Sequence, residues 1–218
     1  MKLTTAGLQE ILTRSYKYAG ITFHSALFSV TPYTATVTPV LSGSTFTSNA
    51  HGLVNGVRVG LSSSGTIPSP LLPNIEYFVV SATTNNYQLS ATLGGSAISL
   101  STVGAGTITA TEVIPGTADP LAVWARHEVA YGGSSRQSLS FSALQPIIVR
   151  TGWGFTPQVV RFSPTSASIV YRYMGIIIGG NATRLDTTGH LHSVIDYEFA
   201  LTIASGTSAD IQYTPIIS

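Results

Sequence analysis

The amino-acid sequence predicts an all-β protein: a jelly-roll-like β-sandwich that carries an inserted small β-barrel module and one short N-terminal helix. Many short runs alternate apolar and polar residues at period 2, as half-buried strands do. Dipeptides that favour turns separate these runs at regular intervals. At 218 residues the chain is long enough to bury one substantial core and a smaller second one.

The N-terminal segment has the spacing of an amphipathic helix. Leu8, Ile11 and Leu12 recur at i, i+3 and i+4, so they form one apolar stripe. Thr4 can cap the first turn, and Gly20 can end the helix. Because so short a helix is marginal alone, we expect it to pack on another surface.

Two segments, 1–41 and 112–218, are predicted to form the sandwich as one discontinuous domain. The strongest strand signal runs from Ile195 to Ile203, where apolar residues alternate strictly. Ile169–Ile178 is apolar on both faces and is expected at the centre of a sheet. About eight strands are expected in all, enough for a jelly roll. Tyr33–Val37 and Val123–Tyr131 are two further predicted strands of the sandwich.

Residues 42–111 have a different pattern and are predicted to form the inserted barrel module. The apolar pairs at period 2 are Val57 and Val59, Tyr77 and Val79, and Tyr87 and Leu89. The turn dipeptides between them are Asn55-Gly56, Pro73-Asn74, Asn85-Asn86 and Gly94-Gly95. Short strands joined by tight turns indicate a small β-barrel.

The same segment resembles a known family. It contains F-T-x-x-x-HGL-x-x-G-x-x-V, then LLPNIEYFVVSATTNNYQLSAT, then GG-x-A-I and GAGT. This order is similar to a β-module found in virion proteins of tailed bacteriophages. That module is similar in fold to a small β-barrel half-domain of ubiquitin-activating enzymes, and its phage copies carry no ubiquitin chemistry. Within the HGL motif, His51 is expected to hold a loop.

Charged residues are scarce in this chain. Asp, Glu, Lys and Arg make up 9% of the residues, against roughly 25% in ordinary globular domains. So few charges favour a protein whose surface is covered by neighbouring subunits, and we therefore expect a homo-oligomer. The phage resemblance implies a trimer.

Composition also excludes several kinds of partner and chemistry. The net charge of +1 and the scattered basic residues argue against nucleic-acid binding. No apolar run is long enough to cross a bilayer, so no membrane partner is expected. Without cysteine, the chain has no disulfides and no thiol nucleophiles.

His190 and His192 are the leading candidates for a metal site. On an unbroken strand they share a face with Asp196 and Glu198, and such a set can bind a divalent metal. Jelly-roll enzymes use a similar His-x-His pair, but the further Glu and third His of that family have no match here. The alternative, which we favour, is a polar face at a subunit contact. We therefore expect no metal and no other cofactor.

The sequence contains no recognised catalytic motif. It has neither a G-x-S-x-G nucleophile elbow nor a G-x-x-x-x-G-K-[ST] phosphate loop. Asp196 and Glu198 could pair as glycosidase carboxylates, but such neighbours on one strand are usually solvated. We therefore expect no enzymatic activity and no catalytic residues.

Four aromatic residues are candidates for contact with a partner or a sugar: Trp124, Trp153, Tyr171 and Tyr173. Tryptophan and tyrosine are enriched at protein interfaces, and their rings can also form a sugar platform. We favour the interface, because loop tryptophans in sparsely charged assemblies usually meet a partner.

The phage resemblance implies a structural component of a tailed-phage virion, assembled in the host cytoplasm. Such a protein decorates or cements the capsid, or forms part of the neck, tail or fibre, and its partners are other virion proteins. The alternative is a module on the particle surface that binds a receptor or carbohydrate, with a host glycan as partner. A metal-dependent jelly-roll enzyme ranks third.

Overall fold

A computed structural model describes residues 22–116, 118–130, 136–139, 146–149, 152–155, 158–213 and 216–217. The predicted N-terminal helix lies outside these residues. The chain divides into two compact units. We call Val30–His127 the barrel unit, and Met1–Ser29 with Glu128–Ser218 the sandwich unit.

The described residues form fifteen strands and one short helix. The strands are β1 Phe23–Phe28, β2 Thr34–Val40, β3 Thr45–Thr47, β4 Arg58–Ser63, β5 Glu76–Val80, β6 Asn86–Ser90, β7 Ile108–Glu112, β8 Gln137–Leu139, β9 Pro146–Val149, β10 Gly152–Phe155, β11 Gln158–Phe162, β12 Ile169–Ile178, β13 His190–Ile203, β14 Ala209–Tyr213 and β15 Ile216–Ile217. The helix, α1, is Leu121–Ala125.

The barrel unit is a closed barrel in the strand order β2-β3-β6-β5-β4-β7. Alternate residues of its short strands point inward, because side chains alternate between the two faces of a strand. Phe46 and Tyr87 stack inside with ring centroids 5.6 Å apart. The apolar pairs predicted from the sequence are all buried: Val57, Val59, Tyr77, Val79, Tyr87 and Leu89.

The sandwich unit contains a four-stranded sheet in the order β13-β12-β1-β8 and a two-stranded sheet of β11 and β14. A further sheet has the order β15-β10-β9. Phe162 on β11 and Ile211 on β14 share one buried cluster with Leu27, Met174 and Ile176 of the four-stranded sheet. These two sheets therefore pack face to face, and the predicted all-β sandwich is confirmed.

Strand β2 belongs to the barrel, which corrects the prediction that Tyr33–Val37 lies in the sandwich. β2 pairs with β7 along Thr34–Val37 and with β3 along Thr38–Val40. Without β2, both β3 and β7 would have an open edge. By pairing with both strands, β2 closes the barrel and satisfies their backbone groups. The barrel unit, Val30–His127, is accordingly wider than the predicted module 42–111.

The predicted strand Val123–Tyr131 is also wrong, because α1 occupies its first residues. Pro120 precedes the helix at the N-cap position, and proline is well tolerated at a helix start. Leu121, Val123, Trp124 and Ala125 are all buried. When every side is buried, period-2 alternation carries no information about which element forms.

Candidate functional site

The four candidate metal ligands, His190, His192, Asp196 and Glu198, do not lie in one regular register along β13. Leu191 pairs with Ile177 but Ser193 pairs with Ile176, so His192 is an extra residue in a bulge. A larger irregularity follows Asp196, because Asp196 pairs with Tyr173 whereas Leu201 pairs with Tyr171. Each shift changes which face the following residues occupy, so the strict alternation assumed from the sequence is broken.

The carboxylate of Asp196 is engaged by its own strand and by β12. It accepts hydrogen bonds from Arg172 Nε and Nη2 at 2.8 and 2.9 Å, and from Glu198 N at 2.7 Å. The hydrogen bonds from Arg172 hold the pKa of the Asp196 carboxyl below its usual value. Within the described part of the chain, no three His, Asp or Glu residues are grouped as a metal site would require.

Three of the four candidate aromatic residues are buried rather than displayed. Trp124 is 1% exposed, and its Nε1 donates to Gly116 O at 2.9 Å. Tyr171 and Tyr173 are buried in β12. Trp153 lies in β10 and pairs with Ile217, while its side chain is outside the described part of the structure. The three buried rings are therefore structural, which corrects their assignment as contact residues.

The barrel unit contains a buried ionic cluster around Glu112. One carboxylate oxygen accepts from Tyr33 N at 2.9 Å, and the other contacts Arg126 Nη1 at 2.5 Å and His127 Nε2 at 3.2 Å. Burial opposes ionisation, but hydrogen bonds from His127 and Tyr33 and the charge of Arg126 hold the Glu112 pKa below its usual value. Arg126 Nε also donates to Gly52 O at 2.7 Å, so the cluster fixes the HGL loop.

His51 holds this loop from inside the barrel. Its Nδ1 accepts a hydrogen bond from Leu53 N at 3.0 Å, and its ring lies edge-on to Tyr87 with centroids 5.2 Å apart. Burial, assisted by the charge of Arg126, lowers the His51 pKa. The neutral ring can accept from Leu53, so this role is structural.

The sandwich unit has a second buried cluster around Arg136. Arg136 is 2% exposed and donates from Nε and Nη2 to the two carboxylate oxygens of Glu128 at 3.0 and 2.9 Å. It also donates to Asp186 O at 2.7 Å, while Leu185 N donates to Glu128 at 2.9 Å. Arg184 adds two hydrogen bonds to Glu128 O. The whole set fastens the β12–β13 loop to the rest of the unit.

His24 lies near the same cluster, at the centre of the four-stranded sheet. Its Nδ1 is 3.4 Å from Ser138 Oγ. Burial and the charge of Arg136 lower its pKa, although the Gly180 carbonyl and Asp186 favour the proton. His24 is therefore neutral near pH 7 and behaves as a core residue.

Sequence reasoning did not identify Glu112, Glu128 or Arg136. The one indication in the sequence is the small number of charged residues. A charged side chain that is buried needs a partner of opposite charge or a hydrogen-bond partner, so any buried charge in this chain is expected to be paired. That signal does not reveal which residues pair, since Asp186 contacts Arg136 from 50 residues away along the chain.

Both units expose large apolar side chains, and the sandwich unit carries the two most exposed of those described. Phe199 is 65% exposed and Val159 is 63% exposed, and Val170 is also exposed. Phe199 projects from the irregular part of β13, where Glu198 has a φ of 66°. The Asp196–Arg172 pair and the Asp196–Glu198 bond hold this bulge in place. This irregular segment of β13, after Asp196, therefore carries an exposed aromatic ring that is held by hydrogen bonds.

Comparison of the chain with protein-family models, with curated proteins and with solved structures gives no match. Among the described residues, no helix is long and apolar enough to cross a membrane.

Proposed function

We propose that this chain is a non-enzymatic structural component of a tailed-phage virion that acts through contacts between subunits. The observation that carries the proposal is the outer surface of the sandwich unit. There a sparsely charged chain exposes Phe199 on the irregular part of β13. Exposed aromatic anchors of this kind are typical of protein interfaces.

The described ionic clusters support a structural role. Glu112 and Arg136 are each tied to several partners that belong to loops or strand ends. In both cases the charged groups satisfy backbone and side-chain partners of the same unit. Such fully satisfied networks fix the local shape of the unit that contains them.

The proposed partners are copies of this chain and other virion proteins. A homo-oligomer would cover Phe199 and lower the exposed apolar area, and a trimer is the state implied by the phage resemblance. Capsid decoration and a neck, tail or fibre position are both compatible with this role. Copy number in purified particles distinguishes them: hundreds of copies indicate decoration, and a few to a few dozen indicate neck or tail.

Light scattering of purified Phe199→Ser tests the role of the bulge in association. Replacing an interface aromatic typically costs about 2 kcal/mol or more, so the subunits should dissociate at concentrations at least about tenfold higher than for the unchanged chain. Leu72→Ser is the matched control, because Leu72 is a similarly exposed apolar residue of the barrel unit. A monomeric unchanged chain that also fails to bind the particle would contradict the proposal.

The carbohydrate-binding alternative has less support. Burial of Trp124, Tyr171 and Tyr173 removes three of its four aromatic candidates from any sugar platform. Phe199 is an exposed ring, but one phenyl group alone suits a protein partner better than a sugar.

A further inference from the structure

The wall of the barrel opens along one side of β2. This strand pairs with β7 only as far as Val37 and Ile108, and its remaining residues pair with β3. The segment that precedes β7 does not continue beside β2. A cleft of about 430 Å³ lies between residues 36–39 and residues 103–108. Its volume lies within the range of ligand sites in proteins.

Glycines in the segment before β7 explain why the cleft is open. Ala105 exchanges two backbone hydrogen bonds with Thr66, at 2.9 and 3.0 Å, so the segment is held toward β4. A Cβ at Gly104 would lie 2.3 Å from Thr66 O, and one at Gly106 would lie 2.7 Å from Gly65 N. Only glycine allows this close approach. The cleft is therefore built by backbone contacts.

Unpaired backbone groups line both sides of the cleft. Tyr33 O accepts from Glu112 N on β7 at 2.8 Å. Because alternate residues of a strand direct their backbone groups to the same side, the Pro39 carbonyl points toward the open cleft. Across from it, the backbone groups of Gly104 and Gly106 have no hydrogen-bond partner among the residues described.

The cleft contains no charged side chain. Its lining residues are threonine, glycine, alanine, valine, isoleucine and proline. The hydroxyl-bearing side chains belong to Thr36, Thr38 and Thr107, and Val103 adds an exposed apolar group. An ionised ligand would lose hydration here without gaining a partner of opposite charge. The lining also has no aromatic ring on which a sugar could stack.

We propose that this cleft binds an extended, uncharged peptide segment of a partner protein, which adds a short strand beside β2. An added strand would offer its N–H groups to the Pro39 carbonyl and its carbonyls to Gly104 and Gly106. Because Pro39 has no N–H, the added strand bonds to β2 there through the Pro39 carbonyl alone. The inference does not depend on a virion setting.

The test is titration of the full-length ¹⁵N-labelled chain with a blocked hexapeptide of alternating threonine and valine. We expect saturable shifts of the Gly104, Gly106 and Thr107 amide signals, with a dissociation constant between micromolar and millimolar. The Thr38→Arg variant should bind at least about tenfold more weakly, because the cleft then holds a bulky charge. Thr34→Arg is the matched control, since Thr34 is exposed on the same strand but does not line the cleft.

Two further probes make the test specific for strand addition. The same peptide with N-methylated backbone amides cannot donate to Pro39, and it should not bind. An uncharged gluco-oligosaccharide of similar length should cause no shift at the cleft. Equal binding of the N-methylated peptide, binding of the sugar alone, shifts outside the cleft, or no saturable shift would each overturn the proposal. The amide spectrum of each variant must retain the barrel signals, which shows that the barrel is folded.

Discussion

The barrel and sandwich units solve the same problem, unpaired strand edges, in different ways. In the barrel unit each of the six strands has a neighbour on both sides, with one local opening beside β2. In the sandwich unit the four-stranded sheet ends at β13 and β8. A closed sheet has no edge strands. An open sheet exposes unpaired backbone N–H and C=O groups along its edge strands, and these edges must be made irregular or covered. The barrel is therefore expected to be self-sufficient, and the sandwich to depend more on its surroundings.

Long strand β13 shows how the sandwich unit blunts its edge. The bulge at His192 and the irregularity after Asp196 interrupt the regular spacing of its backbone groups. Irregular edges pair poorly with other strands, which reduces uncontrolled association. The same irregularity presents Phe199, so the edge that resists strand pairing also displays the proposed contact residue.

The largest expected effect concerns the boundaries of the barrel. An isolated Val30–His127 fragment should fold, because it retains all six strands and α1. A fragment of residues 42–111 lacks β2 and should fail to fold, since β3 and β7 would lose their common neighbour. Amide signal dispersion in NMR spectra measures both. Equal folding of the two fragments would show that barrel closure is dispensable.

A large effect is also expected from Arg136→Met in the sandwich unit. The substitution leaves Glu128 buried without its ionic partner and should reduce the free energy of unfolding by about 3–5 kcal/mol. Hydrogen exchange of the β12 amides measures this loss. The double variant Glu128→Gln/Arg136→Met should lose less, because it buries no unpaired charge. A double variant as unstable as the single one would contradict this explanation.

Stability should decrease on acidification in two separate pH ranges. Burial, with the charges of Arg136 and Arg126 respectively, lowers the pKa values of His24 and His51 below 6.5. The folded state then binds fewer protons than the unfolded state. The contribution of these two neutral histidines to the free energy of unfolding is therefore fully present above pH 6.5 and is lost as the pH falls. The lowered pKa of Glu112 adds a second loss below pH 4.5.

Urea unfolding at a series of pH values separates these contributions. His24→Gln and His51→Asn should each flatten the dependence below pH 6.5, whereas Glu112→Gln should flatten only the range below pH 4.5. A pH dependence that is unchanged in the two histidine variants would show that neither histidine is responsible.

Local patterns in the sequence predict the buried residues of the barrel well, because its strands are short and their side chains alternate between the two faces. Val57 and Val59 are buried as their alternation indicates, and His51 holds a loop as expected from the HGL motif. The role of β2 could not be read in this way. It closes the barrel by pairing with β7, more than seventy residues away along the chain.

The shared face expected for the candidate metal ligands of the sandwich unit is wrong for a related reason. Whether His190, His192, Asp196 and Glu198 share a face depends on the pairing register with β12, and register shifts are set by contacts between strands. Arg172 decides the position of Asp196, yet nothing in the local sequence of β13 indicates that pairing. Trp124 is likewise buried by a helix that the alternation of its neighbours does not predict.

The smallest effect is expected at an exposed ion pair that matches the buried one in geometry. Arg161 donates from Nε and Nη2 to the two carboxylate oxygens of Asp210 at 2.6 and 2.7 Å, which is closer than the Arg136–Glu128 contacts. If distance determined stability, Arg161 would matter more than Arg136. Water and salt screen the exposed pair, however, and removing Arg161 leaves Asp210 hydrated.

Arg161→Gln should therefore leave the urea midpoint unchanged within error, in the same experiment that shows the loss for Arg136→Met. The hydrogen bond with Asp210 raises the pKa of Arg161. The pair nevertheless adds little to the free energy of unfolding, because water offers both groups equivalent partners. Asp210→Asn should behave in the same way. A loss in either variant comparable with that of Arg136→Met would mean that β11 and β14 are shielded from water in solution, which is what a subunit contact on that sheet would produce.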